Sequence, residues 1–402
     1  MAQRQKYAIL SENESTASAA GHDARKKGQK IMFDIVFPRN GALLNRHNGT
    51  ENAEGLKIKV RGVCDQQGDI LINGQAVERC GMEFCGEVTL SQVFNNIEAV
   101  LEDDFGTLTR QLKVVYDKDS FLRYDFFIDD NIFFLTDIAR ERPARLFDHF
   151  YLKALQDMHK KYGACFTLNT FFANSHDPFD LTQVPDCYKS EFIENSDWLR
   201  LSFHSYSEFP DRPYQNTSAE KLAADYDLVY NEICRFAGEE SFIVPEVLHW
   251  AMARPSAFKE LRKRGVRVME GQFISPRTGL ADNSGSERIT DVGYYRNLND
   301  SVYLEEKTYL YDFRNQLLFA RGDCTCNLLT CDEITARLSG IERDTICIAT
   351  HEQYTFPRYF NYLPDHLERI ETAVRVMYER GYKPVFFSEG ILGNTAWGKD
   401  VL

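Results

Sequence analysis

Between residues 30 and 118, apolar and polar positions tend to alternate with a period of two, the spacing of strands with one buried face. Met32–Phe37 alternates and stops at Pro38. Leu56–Val63 sets Leu56, Ile58, Val60 and Val63 against Lys57, Lys59 and Arg61. Asp69–Ile72 runs into Asn73-Gly74, a hairpin-turn dipeptide. Phe94–Leu101 and Leu108–Tyr116 flank an Asp-Phe-Gly turn. Five or six short strands broken by turn residues predict a small all-β sandwich of Ig-like type over 29–118. Residues 1–28 are polar and aperiodic, which predicts a flexible tail.

After Asp119 the period changes. Tyr124–Ile128 is a short apolar run that ends in Asp129-Asp130. Leu146, Phe147, Phe150, Tyr151, Leu155 and Met158 then recur at three- and four-residue steps and Gly163 follows, which predicts a helix with a glycine stop. Strands are expected at Ala164–Leu168, Trp198–Phe203, Phe242–Val244, Val266–Met269, Thr345–Thr350 and Pro384–Phe387. Helices are expected at Ala219–Phe236, Ser256–Arg264 and His366–Arg380. Strands alternating with helices imply a parallel sheet. Six or seven such units suit a closed or distorted (β/α) barrel over 119–402 better than an open sheet. Residues 274–330 break the alternation and are expected to be an inserted excursion.

Barrels of this kind carry their chemistry at the C-terminal ends of the strands. Asp129 and Asp130 follow the first strand. His204, in Phe203-His204-Ser205-Tyr206-Ser207-Glu208, follows the third. Pro245, Glu246, His249 and Trp250 follow the fourth, Glu270 the fifth, and His351-Glu352 the penultimate. Two adjacent carboxylates between apolar runs repel and are poorly solvated unless a cation or a shared proton is present. His204 and Glu208, four residues apart, face one way if the segment is helical, and with Asp130 they make a metal site with open positions. His351, at the end of a buried strand, is a candidate general acid. His149, His159, His176 and His366 are read as solvated or structural.

Composition narrows the function classes. The chain has 402 residues, a formal net charge of −13 and a 13% aromatic share. Its acidity argues against nucleic acid as a partner. No apolar stretch reaches the ~20 residues of a membrane span, and the N-terminus lacks a signal-peptide pattern. A cytoplasmic protein that does not engage membranes is expected, with a homo-oligomer left open. Ten cysteines are then expected to be reduced thiols. The abundant Phe and Tyr fill cores and also line sugar clefts.

The strand-end residues resemble the polysaccharide deacetylase family, the NodB-homology domain of carbohydrate esterases. Phe127-Ile128-Asp129-Asp130-Asn131 stands where that family has Thr-Phe-Asp-Asp-Gly. His204 matches the first histidine of its second motif, and Glu208 stands in place of the second. His351 matches its last motif in position, and Glu371–Phe387 resembles its closing helix, Gly-Tyr and final strand. The resemblance implies that Asp129 is the catalytic base and that Asp130, His204 and Glu208 hold a divalent ion, with zinc expected and manganese, cobalt or iron as alternatives. It implies that His351 protonates the leaving group and that an acetylated carbohydrate is the substrate. Tyr206, His249, Trp250, Glu352 and Tyr354 are the expected substrate contacts. Two other readings remain at this stage. One is a glycoside hydrolase that draws a second carboxylate from Glu246, Glu270 or Glu352. The other is an inactive carbohydrate-binding relative.

Overall fold

The computed structural model describes residues 31–273, 293–294 and 296–402. The tail expected at 1–28 and part of the excursion expected at 274–330 lie outside them. The chain divides into two compact units. One holds the described residues up to Ser120 with Tyr309–Arg314 and Val401; the other holds Phe121–Thr308, Asn315–Asp400 and Leu402.

The first unit contains β1 (Phe33–Phe37), β2 (Leu43–Leu44), β3 (Gly49–Asn52), β4 (Gly55–Cys64), β5 (Asp69–Ile72), β6 (Gln75–Ala76), β7 (Glu78–Cys80), β8 (Glu83–Leu90), β9 (Phe94–Asp103) and β10 (Gly106–Tyr116). They form two sheets, one ordered β1-β4-β8-β7 with β3 also on β4, the other β2-β10-β9-β5-β6. The alternation that defines β4 is real burial: Leu56, Ile58 and Val60 are inside and Lys57, Lys59 and Arg61 outside. Asn73 and Gly74 both take positive φ, 46° and 77°, as a two-residue turn matched to strand twist requires.

The second unit is mixed α/β, with a curled sheet of parallel strands. Its strands are β11 (Arg123–Asn131), β12 (Phe166–Phe171), β13 (Leu199–Ser205), β14 (Val268–Gly271), β16 (Leu317–Arg321), β17 (Cys324–Thr325), β18 (Thr345–His351) and β19 (Lys383–Pro384); β15 (Tyr309–Asp312) falls in the first unit. The main sheet runs β13-β12-β11-β18-β17, with β19 on β11. Single backbone hydrogen bonds carry the ladder onward. Ile243 donates to Leu201 (2.9 Å), Glu270 to Glu246 (2.6 Å), Gly322 to Gly271 (3.1 Å) and Asp323 to Cys347 (3.0 Å).

Helices α1 (Phe133–Glu141), α2 (Phe150–Tyr162), α3 (Lys189–Glu194), α4 (Ala219–Phe236), α5 (Phe258–Lys263), α6 (Leu298–Lys307), α7 (Cys331–Ser339) and α8 (His366–Glu379) connect these strands. Gly163 closes α2 in the left-handed conformation at φ 73°, where a side chain would be strained.

Two expected strands are shorter than the pattern suggested. Phe242–Val244 keeps only an isolated bridge to Leu201, because Pro245 follows and has no N–H to continue a ladder. Pro384–Phe387 contributes only Pro384 to a named strand; beyond it, Phe387 turns its N–H toward the Asp125 carboxylate. Helix α1 was not anticipated, since Ile132–Leu135 reads as a further apolar run.

Candidate metal centre

Adjacent residues of a regular strand point to opposite faces, so Asp129 and Asp130 should diverge. The ladder between β11 and β12 breaks after the Ile128–Leu168 pair and resumes at Asn131–Thr170. Within that bulge Asp130 takes φ +62°, a left-handed conformation that Asp tolerates better than most residues. The break lets both carboxylates approach His204, Asp129 Oδ1 at 3.6 Å from Nδ1 and Asp130 Oδ1 at 3.2 Å from Nε2. A second break, between the Thr170–Phe203 and Phe171–Ser205 pairs, falls at His204. His249 opens a short 3-10 turn in which Trp250 has φ 64°. Strained backbone of this kind concentrates at functional sites.

These three irregular points converge. Asp130 Oδ1 lies 3.2 Å from His204 Nε2 and 3.3 Å from His249 Nδ1, and the two histidine nitrogens are 3.2 Å apart. All three residues are buried, and they are the one group of this kind among the described residues. Two donors bonded at about 2.1 Å to one ion, at angles of about 90–110°, stand about 3.0–3.4 Å apart. The observed triangle has that size. Asp130 Oδ1 is fully buried and receives no hydrogen bond, an arrangement that costs stability unless something positive faces the oxygen. Two imidazoles and a carboxylate on one face of an ion suit zinc, iron, cobalt or manganese. The donor set therefore fits a divalent cation.

The surroundings prepare the donors. His249 Nε2 donates to the Glu208 carbonyl oxygen at 3.0 Å, which turns Nδ1 toward Asp130; burial opposes charge on the ring, but the Asp130 carboxylate raises its pKa. Burial opposes charge on Asp130, yet contacts with His204 and His249 hold its carboxylate well below the usual range. Burial holds His204 toward its neutral form, the form that binds metal. Asp129 is pushed up to about 7, by burial first and with the Asp130 charge adding to it, while His351 and Asn169 pull the other way. Asn169 Nδ2 donates to Asp129 Oδ1 at 2.8 Å. His351 is the register partner of Asp129 across β11 and β18, and its Nδ1 donates to Asn327 Oδ1 at 2.9 Å. That bond leaves Nε2 as the nitrogen available for a ligand.

The site differs from the sequence reading at three places. Glu208, expected as a ligand, is not in the cluster; its carboxylate contacts His176 Nε2 and accepts from Gln353 Nε2 at 2.9 Å. The chain beyond His204 does not continue as a helix, so a four-residue spacing does not put both side chains on one ion. His249, expected to touch substrate, takes the third corner of the triangle. Glu352, also expected at the substrate, has no exposed surface. It accepts the backbone N–H groups of Ile132, Phe133 and Phe134 at 2.6–2.8 Å and so caps α1, the favourable place for a carboxylate. Tyr206 and Trp250 are 40% and 39% exposed, with Lys221 over the first ring and Arg212 over the second. Tyr354 is half-buried, its ring 6.0 Å from that of His351.

Sequence reasoning missed Asn169, Asn327 and Gln353, and set His176 aside. Their shared signal is position: Asn169 lies in the last half of β12 and His176 in the loop beyond it, while Asn327 follows β17. Of the carboxylates that a glycoside hydrolase would draw on, Glu246 and Glu270 are each 3% exposed and Glu352 has no exposed surface.

No protein-family model matches the chain, and no curated protein matches it. One similar solved structure is a family 4 acetyl xylan esterase from Clostridium thermocellum in complex with a cobalt ion. It is 12% identical, with a TM-score of 0.34, over 65% of this chain and 86% of that one. A likeness that distant carries no weight for the site, whose reading rests on its own geometry.

Proposed function

We propose that the chain is a metal-dependent hydrolase that removes acetyl groups, N- or O-linked, from a carbohydrate, on a distorted (β/α) barrel. The observation that carries this reading is the buried Asp130–His204–His249 triangle with Asp129 beside it. A divalent ion held there would supply Lewis-acid activation of the acyl carbonyl and of water. Asp129, oriented by Asn169, accepts the proton that water loses on attack; burial lifts it into the range of a useful base, and a nearby cation would draw it down again. His351, oriented by Asn327, gives a proton to the departing amine or alkoxide. The half-open sides of Tyr206, Trp250 and Tyr354 offer aromatic faces to a sugar ring.

The test is acetate release from acetylated oligosaccharides by the full chain. A chelator should abolish it and added zinc, cobalt or manganese restore it. Asp129→Asn and His351→Ala should each lose about 100-fold or more in kcat/KM while keeping bound metal. Acetate release unaffected by chelator, or by Asp129→Asn, would refute the reading.

A further inference from the structure

Helix α1 begins three residues after Asp130 and has no cap of its own. Its N-cap residue is Ile132, whose side chain cannot accept a hydrogen bond, and its first turn holds no acid. A helix start is ordinarily capped by Ser, Thr, Asp or Asn at that position. Here the acceptor comes from 220 residues away. Glu352 Oε2 accepts the N–H groups of Ile132 and Phe133, both at 2.8 Å, and Oε1 accepts that of Phe134 at 2.6 Å. The carboxylate has no exposed surface. Burial opposes its charge and pushes it up to about 8, while the three N–H groups pull the other way. A local serine or aspartate would cap the helix without burying a glutamate.

What a local cap would not do is join two parts of the site. Asp130 is held at φ +62°, and backbone in that region persists only where its surroundings over-determine it. Upstream, β11 is laddered to β18 as far as the Asp129–His351 pair. Downstream, Asn131 Nδ2 donates to the carbonyl oxygens of Ile128 and Asn169, and the next three N–H groups all end on Glu352. Glu352 directly follows His351 in the chain. One side chain therefore ties the segment leaving Asp130 to the strand end that carries His351.

We infer that Glu352 is a positioning residue: it sets Asp129 and Asp130 against His351 and so holds the geometry of the metal centre from outside it. It touches neither the ion nor the substrate. The inference rests on the deacetylase reading for the role of His351, whereas its effect on the ion does not depend on acetate release. In Glu352→Gln the size is kept, but an NH2 group meets backbone N–H groups where a carboxylate oxygen stood. The turn after Asp130 then loses part of its support, and the donors move off their positions around the ion.

The experiment measures zinc affinity of the metal-free full chain by competition and visible absorption of the cobalt-loaded protein, for wild type and Glu352→Gln, well below the melting temperature of each. Zinc should bind the variant about tenfold more weakly, and the cobalt absorption bands should shift. On acetylated oligosaccharides kcat should fall about 30-fold with KM little changed. A residue that only caps a helix would lower the melting temperature and leave affinity, spectrum and kcat alone below it; that outcome would overturn the inference. Glu352→Asp, which keeps the charge one methylene short of its donors, carries the same test if the amide variant does not fold. Weaker zinc binding and shifted bands in a chain that releases no acetate would sink only the deacetylase reading. Acetate release and metal binding by wild type, both unaltered in the variant, would sink only the positioning role, and a wild type that binds no metal would overturn both.

Discussion

Strand β11 carries two acidic regions that solve the same problem in opposite ways. At its C-terminal end Asp129 and Asp130 sit among imidazoles. Four residues earlier Asp125, fully buried, faces Glu246, a second buried carboxylate whose charge raises its pKa. Glu270 lies nearby, with the Cys347 S–H donating to its carboxylate. No cationic side chain pairs with Asp125, Glu246 or Glu270 among the described residues. Two neighbouring buried carboxylates avoid repulsion only by holding a proton. Burial pushes Asp125 and Glu270 well above the carboxylate range and Glu246 up to about 7. Asp130, equally buried, is held low. Burial alone therefore does not make a site. What faces the charge decides: imidazole neighbours keep the carboxylate an anion ready for a metal, whereas acid neighbours leave a proton store with nothing to coordinate.

The sharpest way to break this contrast is to remove a corner of the triangle. His249→Ala should empty the centre. Metal measured on purified protein should fall from about one ion per chain to near none, and acetate release should drop by about 1,000-fold or more. Full metal content in this variant would mean that the three-residue geometry is incidental and that Glu208 or another group is the ligand.

The second test addresses the acid end. A carboxyl whose folded pKa is raised binds its proton more tightly in the native state, so its stabilisation is complete below the unfolded value, near 4.5, and is lost as pH rises through about 7. Wild type should therefore melt at a lower temperature at pH 8 than at pH 5. Glu246→Gln, neutral at every pH, should flatten that dependence, sparing on the order of 3 kcal/mol at alkaline pH. The comparison fails if the variant's melting profile tracks wild type across this range.

The two ends also differ in how far the sequence exposed them. Strand and helix positions follow from local rules, and the alternation of Leu56, Ile58 and Val60 or the three- and four-residue steps of α2 were readable directly. Asp129, Asp130, His204 and His351 were readable too, because each ends an apolar run. What the chain concealed depends on breaks in those rules. The bulge that turns Asp130 beside Asp129 leaves no periodic trace. His249 reaches the Asp130–His204 pair through a turn with left-handed Trp250, 45 residues beyond His204. Glu352 caps a helix more than 200 residues earlier. Asp125 looked like one polar residue in an apolar run, and only the fold shows that its neighbours are acids.

The smallest expected effect separates side chain from backbone at Glu208. The sequence placed this residue on the metal; the structure places its carbonyl behind His249 and its carboxylate on His176. Glu208→Gln keeps the carbonyl and the shape and removes the charge. Metal content should stay at the wild-type level, and affinity for zinc in a competition assay should change by less than about twofold, because support through a carbonyl hydrogen bond survives the substitution. A ligand carboxylate replaced by an amide would instead lose metal by about 10-fold or more. The two outcomes are far enough apart that one titration assigns Glu208 either to the ion or to the histidine beside it.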